Sequence, residues 1–79
     1  MTTDKATDEI ERRIRTGAYE VGAQLPSARQ LSDEFGLSVA TVNIIMGRLK
    51  ERGLVHGRPG AGRYVAPRRA WARKRQQPV

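Results

Sequence analysis

Residues 27–52, SARQLSDEFGLSVATVNIIMGRLKER, constrain the fold of this chain more than any other stretch. Ser27 is a good helix N-cap, because its hydroxyl can accept from backbone N–H groups left unpaired in the first turn. Gln30 follows three residues later and completes a capping box, while Pro26 prevents the helix from continuing backwards. Leu31 and Phe35 share a face at i, i+4, and Gly36 stops the helix where a left-handed backbone is needed. Ser38 caps a second helix, in which Val42, Ile45, Met46 and Leu49 form one apolar stripe. Leu37 is placed to plug the corner. Two helices crossing through a short glycine turn are the helix-turn-helix plan, whose second helix enters the DNA major groove. The alternative is a helical hairpin without a ligand.

The rest of the chain is read around that pair. Residues 1–5 carry no apolar anchor and are expected to fray. From about Ala6 to Thr16 the pattern is helical, with Ile10 and Ile14 on one face. Acids at Asp8, Glu9 and Glu11 precede Arg12, Arg13 and Arg15, in the order that complements the helix dipole. That face reads as a solvated helix surface, with phosphate contact as the alternative. Residues 17–26 are expected to form a connector with a short extended piece near Gln24–Leu25, with Tyr19, Val21 and Leu25 expected to pack it onto the core.

Gly53 breaks the second helix of the pair. Gly47, inside it, costs about 1 kcal/mol against alanine, and either admits another backbone or DNA or is simply tolerated. Leu54–His56 and Arg63–Val65 are strand-like, separated by the glycine- and proline-rich turn 57–62. A hairpin directly after a recognition helix is a wing. The fold class expected is therefore α+β, mainly α: a winged helix-turn-helix of three helices and a small β-hairpin wing, spanning residues 6–67. Residues 68–79, RRAWARKRQQPV, read as a basic linker or disordered tail, with the linker preferred. Trp71 can pack on the body, stack on a base, or contact a further domain.

Composition limits the chemistry. A chain of 79 residues holds one small domain and one modest core. Without cysteine it has no disulfide or thiolate metal site, and the lone His56 has no partner for a metal site, so no cofactor is expected. No carboxylate pair sits in an apolar setting that would tune acid–base chemistry, so an enzyme is not expected. No apolar run approaches a membrane span or signal peptide, which points to a cytoplasmic protein. The formal net charge of +7 suggests a polyanionic partner. Five of the cations fall in the last twelve residues with no acid among them, leaving residues 1–67 nearly balanced. A DNA-binding surface must therefore come from placing a few cations on one side.

The candidate residues have distinct chemistries. Arg29, at the second helical position, can reach a phosphate or a guanine edge. Ser38 and Thr41 can donate hydroxyl hydrogen bonds to phosphates, fixing register without reading sequence. Asn43 can pair bidentately with adenine N6/N7, and Val39 and Ala40 can pack on thymine methyl groups. Arg58 at the wing tip and Arg63 beside it can reach phosphates or a minor groove. Ser27 and Arg48 complete the set expected near DNA, with the recognition helix at about 38–52 and the wing at 57–63.

Residues 10–66 resemble the N-terminal DNA-binding domain of the GntR family of bacterial transcription regulators. The motifs are Gly17 through Gly22-x-x-Leu25-Pro26-Ser27, Arg29-x-Leu31, Leu37-Ser38-x-x-Thr41-Val42, Leu49-x-x-x-Gly53-Leu54-Val55, and Gly60-Ala61-Gly62-Arg63-Tyr64-Val65. The resemblance implies binding of a palindromic operator on double-stranded DNA as a homodimer, most simply as a repressor. It aligns Arg29, Ser38, Thr41 and Asn43 with DNA-contacting positions, and Gly60 and Gly62 with a minor-groove wing tip. Family members continue into a C-terminal domain that binds an effector and dimerises. This chain is accordingly expected to be a fragment or an unusually short member, weakly dimeric or monomeric when free. Three positions depart from the pattern: Val39 and Asn43 stand where the family often has arginine, and Arg63 where it often has a small hydroxyl residue. A protein-docking winged helix is the competing function, separated by the steep salt dependence that only DNA binding demands.

Overall fold

The computed structural model describes residues 2–72. Helix α1 spans Thr3–Thr16, α2 Ala28–Phe35 and α3 Val39–Glu51, followed by strands β1, Val55–Arg58, and β2, Gly62–Val65. A single 3-10 turn at Arg68–Ala70 follows. Helix α2 begins as its sequence requires: Ser27 Oγ accepts from Gln30 N, and the Gln30 side chain accepts from Ser27 N. Gly36 takes a left-handed φ of 65° and lets the chain turn within a few residues to the Ser38 cap of α3.

The core is one cluster that all three helices share. Ile10 and Ile14 from α1, Leu31 and Phe35 from α2, and Val42, Ile45, Met46 and Leu49 from α3 are buried in it. Leu25, Leu54, Val55 and Val65 close it at the wing side, and Leu37 and Tyr19 pack against its edge. Strands β1 and β2 pair antiparallel, with Val55 opposite Val65 and Arg58 opposite Gly62. The connector joins this hairpin: Gln24 bridges Tyr64, Leu25 N donates to Arg63 O at 2.8 Å, and Val65 N donates to Ala23 O at 3.0 Å. The extended piece expected at Gln24–Leu25 is thus a short outer edge on β2.

Three boundaries differ from the sequence expectation. Helix α1 starts at Thr3, three residues earlier, because Thr2 caps it by accepting from Lys5 N and Thr7 Oγ1 donates to Thr3 O. Residues 3–5 are therefore helical. The hairpin reaches further into the glycine-rich stretch, since Gly57 and Arg58 pair with Arg63 and Gly62. Only Pro59, Gly60 and Ala61 remain between the strands, and Ala61 N closes the turn on Arg58 O at 3.0 Å. Proline followed by glycine at φ 72° suits such a turn.

The third difference is at Pro67, which does not end the packed body. Trp71 packs against the core, and its indole N–H donates to Ala66 O at 2.8 Å. Ala72 N donates to Arg52 O at 2.7 Å, and Arg15 Nη2 donates to Ala72 O at 2.8 Å. Of the three roles open to Trp71, packing on the body is the one observed. The remaining tail cations Arg73, Lys74 and Arg75 lie outside the described residues.

Candidate nucleic-acid interface

Helix α3 has two faces. Val42, Ile45, Met46 and Leu49 are buried, while Val39, Ala40, Asn43, Ile44 and Gly47 form a continuous exposed stripe on the other side. Ile44 is 58% exposed and Val39 43%, which leaves apolar surface uncovered on a helix otherwise well packed. Among the described residues, a Cβ at Gly47 would meet nothing within 4 Å. Close approach of any described backbone segment is therefore not the reason for that glycine. Ile44 is not among the site residues expected from the sequence. The available signal was its spacing, one turn beyond Ala40 on the face away from the core stripe.

At the start of α3, Ser38 Oγ accepts from Thr41 N at 3.1 Å and lies 2.9 Å from Thr41 Oγ1. One hydroxyl proton is spent between the two side chains, so the pair presents one donor outward where two were expected. Ser27 at the start of α2 is likewise tied into its cap. Arg29 is exposed, and among the described residues its side chain has no hydrogen bond or ion pair.

The structure brings Asn43 and Arg63 together: Arg63 Nη2 donates to Asn43 Oδ1 at 3.0 Å, joining the recognition helix to the wing. It takes Arg48 elsewhere. Arg48 Nη1 pairs with Asp4 Oδ1 at 2.9 Å, so its guanidinium is directed to α1. Arg58 lies over the Tyr64 ring, 4.9 Å from its centroid, and stays exposed. Gly60 and Gly62 are exposed at the tip with left-handed φ values of 72° and 91°. Gln24 holds that tip, donating from Nε2 to Ala61 O at 2.8 Å. No local pattern marks Gln24, because its partner is 37 residues away.

Ion pairing sorts the cations. Arg12 and Arg13 bind Glu9, Arg13 also binds Glu34, and Arg15 and Arg52 bind Glu11. The hydrogen bond from Arg12, then that from Arg13, holds the Glu9 carboxyl down at about 2. The arginines of α1 are thus committed to acids of the same chain. Arg29, Arg58 and Arg63 form no ion pair among the described residues and keep their charge available. Among those residues no cluster of His, Cys, Asp or Glu could hold a metal ion, and no helix is long and apolar enough to cross a membrane.

The chain is similar in sequence and fold to known proteins. The uncharacterized HTH-type transcriptional regulator YjiR of Escherichia coli K12 is 39% identical over 61 residues, covering 77% of this chain and 13% of its own. The uncharacterized HTH-type regulator YieP of the same strain is 34% identical, covering 81% of this chain and 28% of its own. The chain thus spans under a third of the length of these relatives. The AraR DNA-binding domain, solved in complex with operator ORR3, superimposes with a TM-score of 0.76 at 28% identity, covering 81% of this chain and 77% of that one. The fold is that of a winged helix-turn-helix DNA-binding domain. Members of this class of regulator bind DNA and are not enzymes. The family described as "Bacterial regulatory proteins, gntR family" matches residues 2–65, and the chain belongs to it.

Proposed function

We propose that this chain reads a specific sequence in double-stranded DNA, with α3 in the major groove and the 57–63 wing at the minor groove or backbone. The exposed stripe Val39–Ala40–Asn43–Ile44–Gly47 carries the reading: it offers base-sized apolar and amide groups on a helix whose other face is fully packed. Arg29 and the Ser38–Thr41 hydroxyl pair supply phosphate contacts at the two helix starts. The wing tip is narrow, open at Gly60 and steadied by Gln24, which suits entry beside a phosphate backbone.

Repression of a target operon is the regulatory outcome we favour. A relative named as the HTH-type transcriptional repressor NagR of Bacillus subtilis is 29% identical over 59 residues, which cover 75% of this chain and 24% of that protein. The operator is a palindrome bound by two copies, with half-sites about one helical turn apart, as helix-turn-helix dimers require. An effector would act only through a C-terminal domain of the full protein, where one exists, and the regulator works in the cytoplasm. Titration of the chain with duplex DNA at several salt concentrations tests the reading. Log K should fall linearly with log salt, by about 0.9 per phosphate contact, and should be greater for a selected site than for random sequence. Salt-insensitive or absent binding refutes it.

A further inference from the structure

We infer that Asn43 and Arg63 act as one reading unit and that its preferred base is guanine. The inference rests on α3 being the recognition helix. The single hydrogen bond between the two side chains already fixes the chemistry they present. A guanidinium carries only donors, so the Asn43 atom that meets Arg63 Nη2 at 3.0 Å must be the carbonyl oxygen. That orients the amide and leaves its NH2 group as the free end.

Two consequences follow for what the pair can recognise. The Asn43 acceptor now sits against a positive charge, with one lone pair occupied. The Asn43 NH2 and the remaining Arg63 N–H groups have no other partner among the described residues, and all of them are donors. Asn43 lies in the exposed stripe of α3, and Arg63 lies on β2 past the wing tip with its side chain drawn back to α3, so these donors face the major groove with the helix while the tip at residues 59–61 stays at the minor groove or backbone. Guanine offers two acceptors, N7 and O6, on its major-groove edge. Adenine offers one acceptor and the N6 amino group, which meets a donor surface with another donor. An asparagine acting alone selects adenine through its donor and its acceptor together. Arg63 occupies one of that acceptor's two lone pairs and sets a cation beside the other, which disfavours the adenine N6 donor there and so changes the base.

Arg63 also forms no ion pair with any acid among the described residues, so its charge is not spent within the chain. A phosphate would accept from the same donors. The two targets differ in one observable: a phosphate contact weakens every sequence alike, whereas a base contact changes the ranking of sequences.

The experiment selects sites for the full chain from a randomised duplex pool, then measures affinities on duplexes that differ at one base pair. The parent should select guanine at a position whose preference collapses in Asn43→Ala. Arg63→Ala should cut the guanine preference there by about 5- to 150-fold, the value of one good bidentate contact, and should raise adenine at the same position. The double variant should lose little more than the worse single one, because the pair works jointly. Thermal melts accompany each variant. Should Arg63→Ala lower the melt, Arg63→Met keeps the apolar stem and removes the donors. Adenine already preferred by the parent, and kept in the Arg63 variants, overturns the inference while leaving DNA reading intact. Uniform weakening on all sequences identifies a phosphate clamp and also overturns it. A parent that binds DNA with no sequence preference defeats the proposed function itself.

Discussion

The Glu11 carboxylate of α1 accepts a hydrogen bond of 2.6 Å from Arg52, the C-cap residue just after α3, and one of 2.7 Å from Arg15 on its own helix. Its side chain is 10% exposed, against 43% for Arg52 and 26% for Arg15. An acid buried to that degree is held by its partners, and here they fasten the back of the recognition helix to α1. Arg15 reaches on to Ala72 and Arg52 receives Ala72 N, so the same cluster anchors the segment after the wing.

Acid should unfasten this cluster. Burial acts to raise the Glu11 pKa, but the hydrogen bonds from Arg15 and Arg52 outweigh it and hold the group below its ordinary 4.5. With the folded pKa the lower one, the unfolded chain takes the proton first. The stabilisation is present above about pH 4.5 and is lost as pH falls through the folded value. Glu11→Gln should cost about 1–2 kcal/mol near neutrality, discounted for the partly exposed arginines, and should flatten the acid limb. Melting temperatures between pH 7 and pH 2.5 check this. An acid limb identical in parent and variant would show that other carboxylates control it.

Replacing Trp71 tests whether residues 68–72 belong to the domain. The ring packs against the core and its N–H is satisfied by Ala66 O. Trp71→Ala should destabilise the chain by about 1–3 kcal/mol, less than the range for a fully buried ring. For a domain of this size that is about 4–8 °C in Tm per kcal/mol. A melt unmoved by the substitution would mean that the segment is not docked in solution.

Arg29→Ala should weaken binding to a selected operator by about 1–3 kcal/mol and leave the melt unchanged, because its side chain is exposed and bonded to nothing in the described structure. Affinity equal to that of the parent at near-physiological salt would remove Arg29 from the interface.

Ile44 separates DNA contact from folding in the same way. Ile44→Ala should change stability by less than about 0.5 kcal/mol, since the side chain is largely exposed. It should cost about 1–2 kcal/mol on DNA if three carbons leave an apolar contact there. Deoxyuridine in place of thymine removes only the methyl group from the DNA. A probe carrying it at the contacted step should weaken the parent and leave Ile44→Ala almost unaffected. Equal loss in both proteins would place that methyl against another residue, with Val39 and Ala40 the first to test.

What the residues determine by themselves here is local. The Ser27–Gln30 box, the left-handed Gly36, the Ser38 cap and the Val42–Ile45–Met46–Leu49 stripe all formed where the pattern required. Each depends on groups within about one or two helical turns, so spacing alone carries the information. The wing was legible from its glycine and proline cluster, although its strands extended into it once Gly57 and Arg58 found partners. Tertiary structure decided which side chains remain free to meet a ligand. Asn43 and Arg63 are 20 residues apart, Arg48 and Asp4 44, and Arg15 and Ala72 57. Sequence spacing cannot say which donor lies beside which acceptor across such loops. A side chain's recognition chemistry is what its neighbours leave unused, and those neighbours are assigned only when the helices pack.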